Sequence, residues 1–168
     1  MTIDPGDPVD LSFDTAHFRA VLGHFSTGIA VVTGVAEGVP LGLTCQSIVS
    51  LSLDPPLIAF CPSKASTSWP RIQSSGAFCV NILTQDQEDV SRVFATRGAD
   101  KFQHLSWRAG QTGSAILGDV LAWVDCRIEA VHDGGDHLIV VGRVVGLAAA
   151  GSGKPLLTYR GGYGRFES

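Results

Sequence analysis

Residues 120–147 read VLAWVDCRIEAVHDGGDHLIVVGRVVGL. Val120, Ala122, Val124, Cys126, Ile128 and Ala130 alternate there with Leu121, Trp123, Asp125, Arg127, Glu129 and Val131. Strict period two over twelve residues suits a strand with two unlike faces, because successive side chains leave opposite sides of a sheet. His132-Asp133-Gly134-Gly135-Asp136-His137 follows as a turn-like run, and its glycines supply the backbone freedom a hairpin turn demands. Leu138–Leu147 then reads as the returning strand. A long antiparallel hairpin is the expected centre of the fold.

Upstream, Ile29–Val35, Leu41–Gln46, Ile48–Ser52, Leu57–Cys61 and Ala77–Leu83 are short runs of strand formers. They are bounded by Gly38-Val39-Pro40, Asp54-Pro55-Pro56 and Ser74-Ser75-Gly76, which are turn or cap signals. Helical patterns fall at three places. Phe18, Val21, Leu22 and Phe25 recur at i, i+3, i+4 and i+7, with Asp14 or Thr15 as N-cap. Ser66–Ser75 carries Pro70 in its first turn and Gly76 just beyond its end. Gln85–Arg97 opens on the capping-box pattern Thr84-Gln85-Asp86-Gln87, stops at Gly98, and shows the stripe Val90, Val93, Phe94. Many short strands with a few covering helices predict a mainly β fold, a β-barrel whose inside is all core. A ligand would then sit on the outside or between subunits. Met1–Phe13 reads as a flexible lead-in and residues 14–168 as a single domain.

The chain has 168 residues, 45% hydrophobic and 17% charged, with net charge −4. That size suffices for a core without disulfide or metal staples. The apolar composition excludes a disordered chain, and the sparse charge implies apolar surface buried against another subunit or a ligand. A negative chain without a basic face is not built for nucleic acid. No run of 18 apolar residues occurs, since Arg143 breaks Leu138–Ala150, so no membrane helix is expected. Met1–Asp10 has neither a basic nor an apolar signal-peptide region. Cys45, Cys61, Cys79 and Cys126 are scattered without a CxxC pair and lie in apolar stretches, as reduced thiols do. The reading is a reduced, cytoplasmic protein.

Several chemistries drop out. No GxGxxG links a strand to a helix and no GxSxG elbow occurs. Gly151-Ser152-Gly153-Lys154-Pro155 imitates a P-loop, but Ala148 and Pro155 occupy required positions, so it reads as a loop. His132–His137 fits no standard zinc spacing and reads as a hairpin turn. His17, His24 and His104 have no partner suggested by spacing. What remains is a density of small hydroxyl residues at strand ends: Ser26-Thr27-Gly28, Thr33, then Thr44, Gln46, Ser47, Ser50 and Ser52, then Cys61-Pro62-Ser63-Lys64-Ala65-Ser66-Thr67-Ser68-Trp69. Singly, such residues serve turns and caps. Ser63 and Lys64 precede a predicted helix, whose free N–H groups would favour an anion. That segment is either a phosphate site or a capped surface helix with a solvated lysine.

In order and spacing these segments resemble the short-chain flavin reductase family, the reductase components of two-component flavin-dependent monooxygenases. The likeness spans about Phe18 to Tyr163 and rests on Phe25–Thr33, Gly42–Leu57, Phe78–Leu83, Asp100-Lys101-Phe102 and Gly135-Asp136-His137. Cys61–Trp69 and the His-Asp-Gly-Gly-Asp-His turn resemble the branch serving phenol and steroid-ring hydroxylases. The resemblance implies an FMN-binding split β-barrel, a homodimer with flavin near the subunit interface, and hydride transfer from NADH, or NADPH, to FAD or FMN. Thr44, Cys45, Gln46 and Ser47 would lie along the isoalloxazine. Ser26–Gly28, Ser50, Ser52 and Ser63–Ser68 would line the ribityl and phosphate, with Lys64 on the phosphate and Phe102 against the flavin. Cys61, Pro62, Thr33 and Trp69 complete the predicted cofactor-binding set. His137 would stand near the nicotinamide, with Arg160 and Tyr163 bordering the same site. No metal is expected. A longer C-terminal cover over the cofactor is not expected either, because few residues follow Tyr163.

Direct hydride transfer would explain why no acid–base dyad stands out. The partners implied are a second copy of the chain and a monooxygenase receiving diffusible reduced flavin. A flavin- or haem-binding sensor or carrier on the same barrel is the alternative, and a Gly-Asp-His turn at a nicotinamide site argues against it. A pyridoxamine-phosphate-oxidase-like enzyme would want several cationic phosphate clamps. The sequence does not separate FAD from FMN, and only its acidic balance favours NADH over NADPH.

Overall fold

The long hairpin forms as expected, in a computed structural model that describes residues 13–98 and 100–167. The predicted lead-in, Phe13 apart, lies outside the described residues. In chain order the elements are α1 (Thr15–Leu22), β1 (Thr27–Gly28), β2 (Ala30–Ala36), β3 (Val39–Cys45), β4 (Val49–Leu53), β5 (Pro56–Phe60), α2 (Trp69–Ser74), β6 (Ala77–Ile82), α3 (Glu88–Ala95), β7 (Trp107–Ala109), β8 (Ala115–Leu117), β9 (Ala122–Gly134), β10 (His137–Ala149), β11 (Leu156–Tyr159) and β12 (Gly162–Arg165).

β9 and β10 pair along almost their whole length, and the ladder runs to Gly134↔His137. The turn is therefore only Gly135-Asp136, shorter than the six residues read from sequence. Gly135 has φ 82, which places a glycine at the first turn position, as a type II′ link requires. The alternation also slips. Between Val141 and Gly142 the partner changes from Ala130 to Ile128, so Glu129 is an extra residue. A bulge of this kind exchanges the two faces. Val124, Cys126 and Ile128 face the main core on one side of the bulge, and Val131 replaces Ala130 there on the other.

Seven strands hydrogen-bond in the order β3-β2-β6-β9-β10-β5-β4. The edge strands β3 and β4 are joined by Gln46-Ser47-Ile48 alone, a link spanning at most about 15 Å. A flat sheet of that width would hold its edges about 29 Å apart. The sheet must therefore coil on itself, and the core records this: Val32 and Cys45 from one end pack with Phe60 and Val140 from the other, around Trp69 and Phe78. Strand pairing leaves a split between β3 and β4, and the Gln46–Ile48 link crosses it.

A second core holds Ile29, Val31, Leu83, Phe94, Leu117 and Leu156. It packs the expected α3, together with two short sheets not read from the sequence, β7–β8 and β1–β11–β12, against the opposite face. Asn81 pins β8 there by accepting from Leu117 N–H at 2.8 Å and donating to Thr33 Oγ1 at 3.0 Å. Fully buried Asp125 secures the β7–β8 turn, accepting from Thr112 N–H at 2.9 Å and its hydroxyl at 2.6 Å.

The helices are shorter than their patterns. α1 has the expected cap, Asp14 accepting from His17 N–H at 2.7 Å. Its apolar residues Phe18, Val21 and Leu22, and Phe25 just beyond its end, are nonetheless all exposed. α2 begins at Trp69, so Ser66–Ser68 precede it, and Ser68 makes no side-chain cap bond. α3 begins at Glu88. The capping-box residues instead close a preceding turn, where Thr84 N–H donates to Gln87 Oε1 at 3.1 Å.

Candidate functional site

The split between β3 and β4 opens into two clefts. The first, about 470 Å³, is lined by Thr44, Cys45, Gln46, Ser47, Cys61, Pro62, Ser63, Ser66, Thr67, Ser68, Phe94, Arg97, Lys101 and His137 among others. The second, about 1200 Å³, is lined by Phe18, Arg19, Leu22 and Phe25 of the α1 region, Ser26–Ala30, Gln46–Val49, His137, and Arg160–Tyr163. Gln46, Ser47 and His137 belong to both.

Local bonding fixes the junction. Ser47 Oγ accepts from Cys61 N–H at 2.9 Å and lies 3.2 Å from Cys45 Sγ, tying the link to the end of β5. Ser63 bridges to His137, and Lys64 N–H donates to Asp136 carbonyl at 3.0 Å. The Cys61–Ser68 loop is thereby held along the hairpin turn. His137 Nδ1 lies 2.7 Å from Asp136 Oδ1, and this imidazole holds the Asp136 carboxyl below its ordinary range. Burial pushes the Cys45 thiol up, so it meets the cleft as a neutral group.

Charge is sorted sharply. The chain has 16 Asp and Glu against 12 Lys and Arg, yet no carboxylate lines either cleft among the described residues. Arg97 and Lys101 line the first; Arg19 and Arg160 line the second. Lys101 donates to the carbonyls of Gly42 at 3.1 Å and Phe94 at 2.9 Å. Burial pulls its pKa down. Arg97 donates to Ala65 carbonyl at 3.2 Å. A strut joins the two clefts: Thr44 donates to Ser91 carbonyl at 2.6 Å, and the buried Ser91 hydroxyl lies 3.0 Å from Tyr163 Oη.

Most of the predicted site residues converge, but six do not. Thr33 is fully buried in the Asn81 network, facing the carbonyls of Cys79 and Ala115, so its hydroxyl is a core tie. Trp69 is 1% exposed and packs edge-on against Phe60. Phe102 packs edge-on against Phe94 at 5.1 Å and lines neither cleft. Ser50 and Ser52 lie along the β4–β5 ladder and line neither cleft. Lys64 turns to Asp133 at 2.5 Å, because its loop runs beside the hairpin turn. Arg97 and Lys101 went unread as cleft cations. Lys101 sits beside Phe102 in the quoted Asp-Lys-Phe run, but sequence does not reveal which of the two side chains faces the cleft. Arg19, read only as part of a helix, was missed likewise.

A flavin needs a polar edge for its ring, hydroxyls for its ribityl chain, and a cation for its phosphate. The hydroxyl-lined, carboxylate-free first cleft fits those needs. The second adds a buried hydroxyl, Thr27 Oγ1, that has no hydrogen-bond partner among the described residues, an arrangement that a polar ligand would complete.

A coiled, split β-sheet with paired carboxylate-free clefts that carry arginine and lysine is suited to anionic ligands. Comparison with known proteins narrows this: the model of the flavin reductase like domain matches residues 22–167, and the chain belongs to that family. It is 50% identical over 156 residues to the flavin-dependent monooxygenase reductase subunit HsaB of Mycobacterium tuberculosis, covering 92% of this chain and 83% of that one. The crystal structure of nitrilotriacetate monooxygenase component B from Mycobacterium thermoresistibile superposes with TM-score 0.89 at 50% identity, covering 92% of this chain and 87% of that one. The NADH:FAD oxidoreductase SgcE6 of Streptomyces globisporus, solved with NAD and FAD fragments, superposes with TM-score 0.86 at 33% identity, covering 92% and 93%.

Proposed function

We propose that this protein is an NADH-dependent flavin reductase that passes reduced FAD or FMN to a separate monooxygenase. The observation that carries the reading is the junction of two carboxylate-free clefts at Gln46, Ser47 and His137. Two planar cofactors entering from opposite sides would meet there. The naming of HsaB as a monooxygenase reductase subunit and of SgcE6 as an NADH:FAD oxidoreductase supports the same assignment.

A flavin held in the first cleft would supply the redox chemistry, as the acceptor for a nicotinamide hydride. The chain's own task is orientation and charge. Thr44–Ser47 offer backbone and hydroxyl groups to the polar edge of the ring, where charge develops. Ser63, Ser66 and Ser68 with Arg97 and Lys101 serve the ribityl and phosphate. His137, steadied by Asp136, and Tyr163 border the nicotinamide.

A second copy of the chain is the first partner. The exposed Phe18, Val21, Leu22 and Phe25 of the α1 region, and Val49, Leu51 and Leu53 of β4, support this. Covering a large apolar side chain is worth about 1.5–3 kcal/mol. Four free cysteines suit the reducing cytoplasm. Residues 14–167 act as one domain in this reading.

The test follows NADH oxidation in air by purified protein with FAD, with FMN and without flavin. Oxidation that saturates with added flavin is expected. No oxidation with either flavin, using NADH or NADPH, refutes the enzyme and leaves a carrier.

A further inference from the structure

Arg19 and Arg160 both line the second cleft, and the main chain ties them together. Gly23 N–H donates to Arg19 carbonyl at 2.9 Å, and Arg160 N–H donates to Gly23 carbonyl at 2.9 Å. Neither guanidinium forms an ion pair among the described residues. Asp136 is within electrostatic reach of Arg19, but its carboxylate is already bonded to His137.

Arg160 is also strained. With φ 50, followed by Gly161 at φ 79, it opens the two-residue link between the paired Tyr159 and Gly162 of β11 and β12. Two successive positive φ values favour Asn, Asp or Gly at the first position, whereas a long side chain there carries a steric penalty. Backbone preference would select a different residue. What the position gains from arginine is a guanidinium on the cleft.

We propose that Arg19 and Arg160 form a pyrophosphate subsite for the nicotinamide dinucleotide. They hold its phosphates at the outer end of the second cleft while the nicotinamide reaches His137. This rests on the reductase reading above. The guanidinium fork matches phosphate oxygens in pairs. Two unpaired cations also offset the repulsion that a chain of net charge −4 presents to a dianion.

The test uses Arg19→Gln and Arg160→Asn, the second keeping a residue that tolerates the left-handed turn. Flavin-free protein is titrated calorimetrically with ADP-ribose, which carries the pyrophosphate but no nicotinamide, and separately with FMN. Each substitution is expected to weaken ADP-ribose about tenfold and to raise KM for NADH in parallel. FMN affinity and kcat should stay within about twofold, a span worth only ~0.4 kcal/mol. ADP-ribose affinity unchanged in both variants overturns the subsite, as does wild-type protein that fails to bind ADP-ribose at millimolar concentration. An equal loss of FMN affinity also overturns it, moving the arginines to the flavin phosphate. Wild-type protein that binds ADP-ribose through these arginines yet oxidises no NADH refutes only the reductase reading.

Discussion

Lys64 and Lys101 offer a direct contrast, because only one of them faces the first cleft. Replacing Lys101 by Met removes an ammonium that donates to two carbonyls, Gly42 and Phe94. Hydrogen bonds to a charged group contribute about 1.5–3 kcal/mol when buried. Lys101 is partly exposed, so about 2 kcal/mol for the two together is the expected loss of stability. If the third N–H serves the flavin phosphate, FMN affinity should fall roughly tenfold to thirtyfold, from about 1.4–2 kcal/mol. Lys64→Met breaks an exposed pair with Asp133, worth about 0–1 kcal/mol, and should change FMN affinity less than about threefold.

Quenching of flavin fluorescence gives both dissociation constants. Riboflavin, which lacks the phosphate, is the control and should bind both variants as it binds the parent. Because burial lowers the Lys101 pKa, FMN affinity should fall as pH rises, earlier than an exposed lysine near 10.4 would allow. Riboflavin affinity should stay flat over that range. The reasoning is refuted if Lys64→Met weakens FMN as much as Lys101→Met does, or if riboflavin loses equal affinity.

Three further outcomes follow from packing and burial. Gly42→Ala would set a Cβ 2.5 and 2.7 Å from Phe94 ring carbons; a loss of about 1–3 kcal/mol is expected, and an unchanged melting temperature would contradict the tight seat of α3 on β3. Thr27→Val replaces a buried hydroxyl without a partner among the described residues on the second cleft, so ligand-free protein should gain about 1 kcal/mol while KM for NADH rises, checked by urea unfolding and steady-state kinetics. Burial raises the Cys45 and Cys79 thiols and takes Cys126 to about 12. Above about pH 9 the unfolded chain therefore loses thiol protons that the folded chain keeps. The fall should approach about 1.4 kcal/mol per pH unit for each of Cys79 and Cys126, the strongly raised thiols. Urea midpoints at pH 8, 9 and 10 measure this, Cys126→Ala should shallow the slope, and a flat series would refute it.

The sequence carried what depends on neighbours a few residues apart. Period two in Val120–Val131 specified a strand, Gly135 specified its turn, and Asp14 specified the cap of α1, because each is a local steric or hydrogen-bonding matter. Local order also brought most of the candidate site to light, since hydroxyls crowd the strand ends that meet at the split. What sequence left open was orientation and distance. Whether Lys64 or Lys101 meets the cleft depends on the hairpin turn lying beside one and on α3 packing over β3 beside the other. Thr33 and Thr27 look alike as letters, yet one is consumed by Asn81 and the other, on a residue that lines the second cleft, is buried without a partner among the described residues. The bulge at Glu129 exchanges the faces of β9 through one unpaired residue, which the alternating pattern conceals. Periodicity also marked the apolar stripe of α1 as a packing surface, but only the tertiary structure shows that the other described residues leave that stripe exposed. Side-chain pattern thus determined the seven strands of the main sheet and the helices, while the closure of that sheet across a three-residue link decided which residues share a cleft, because that closure alone brings distant strands together.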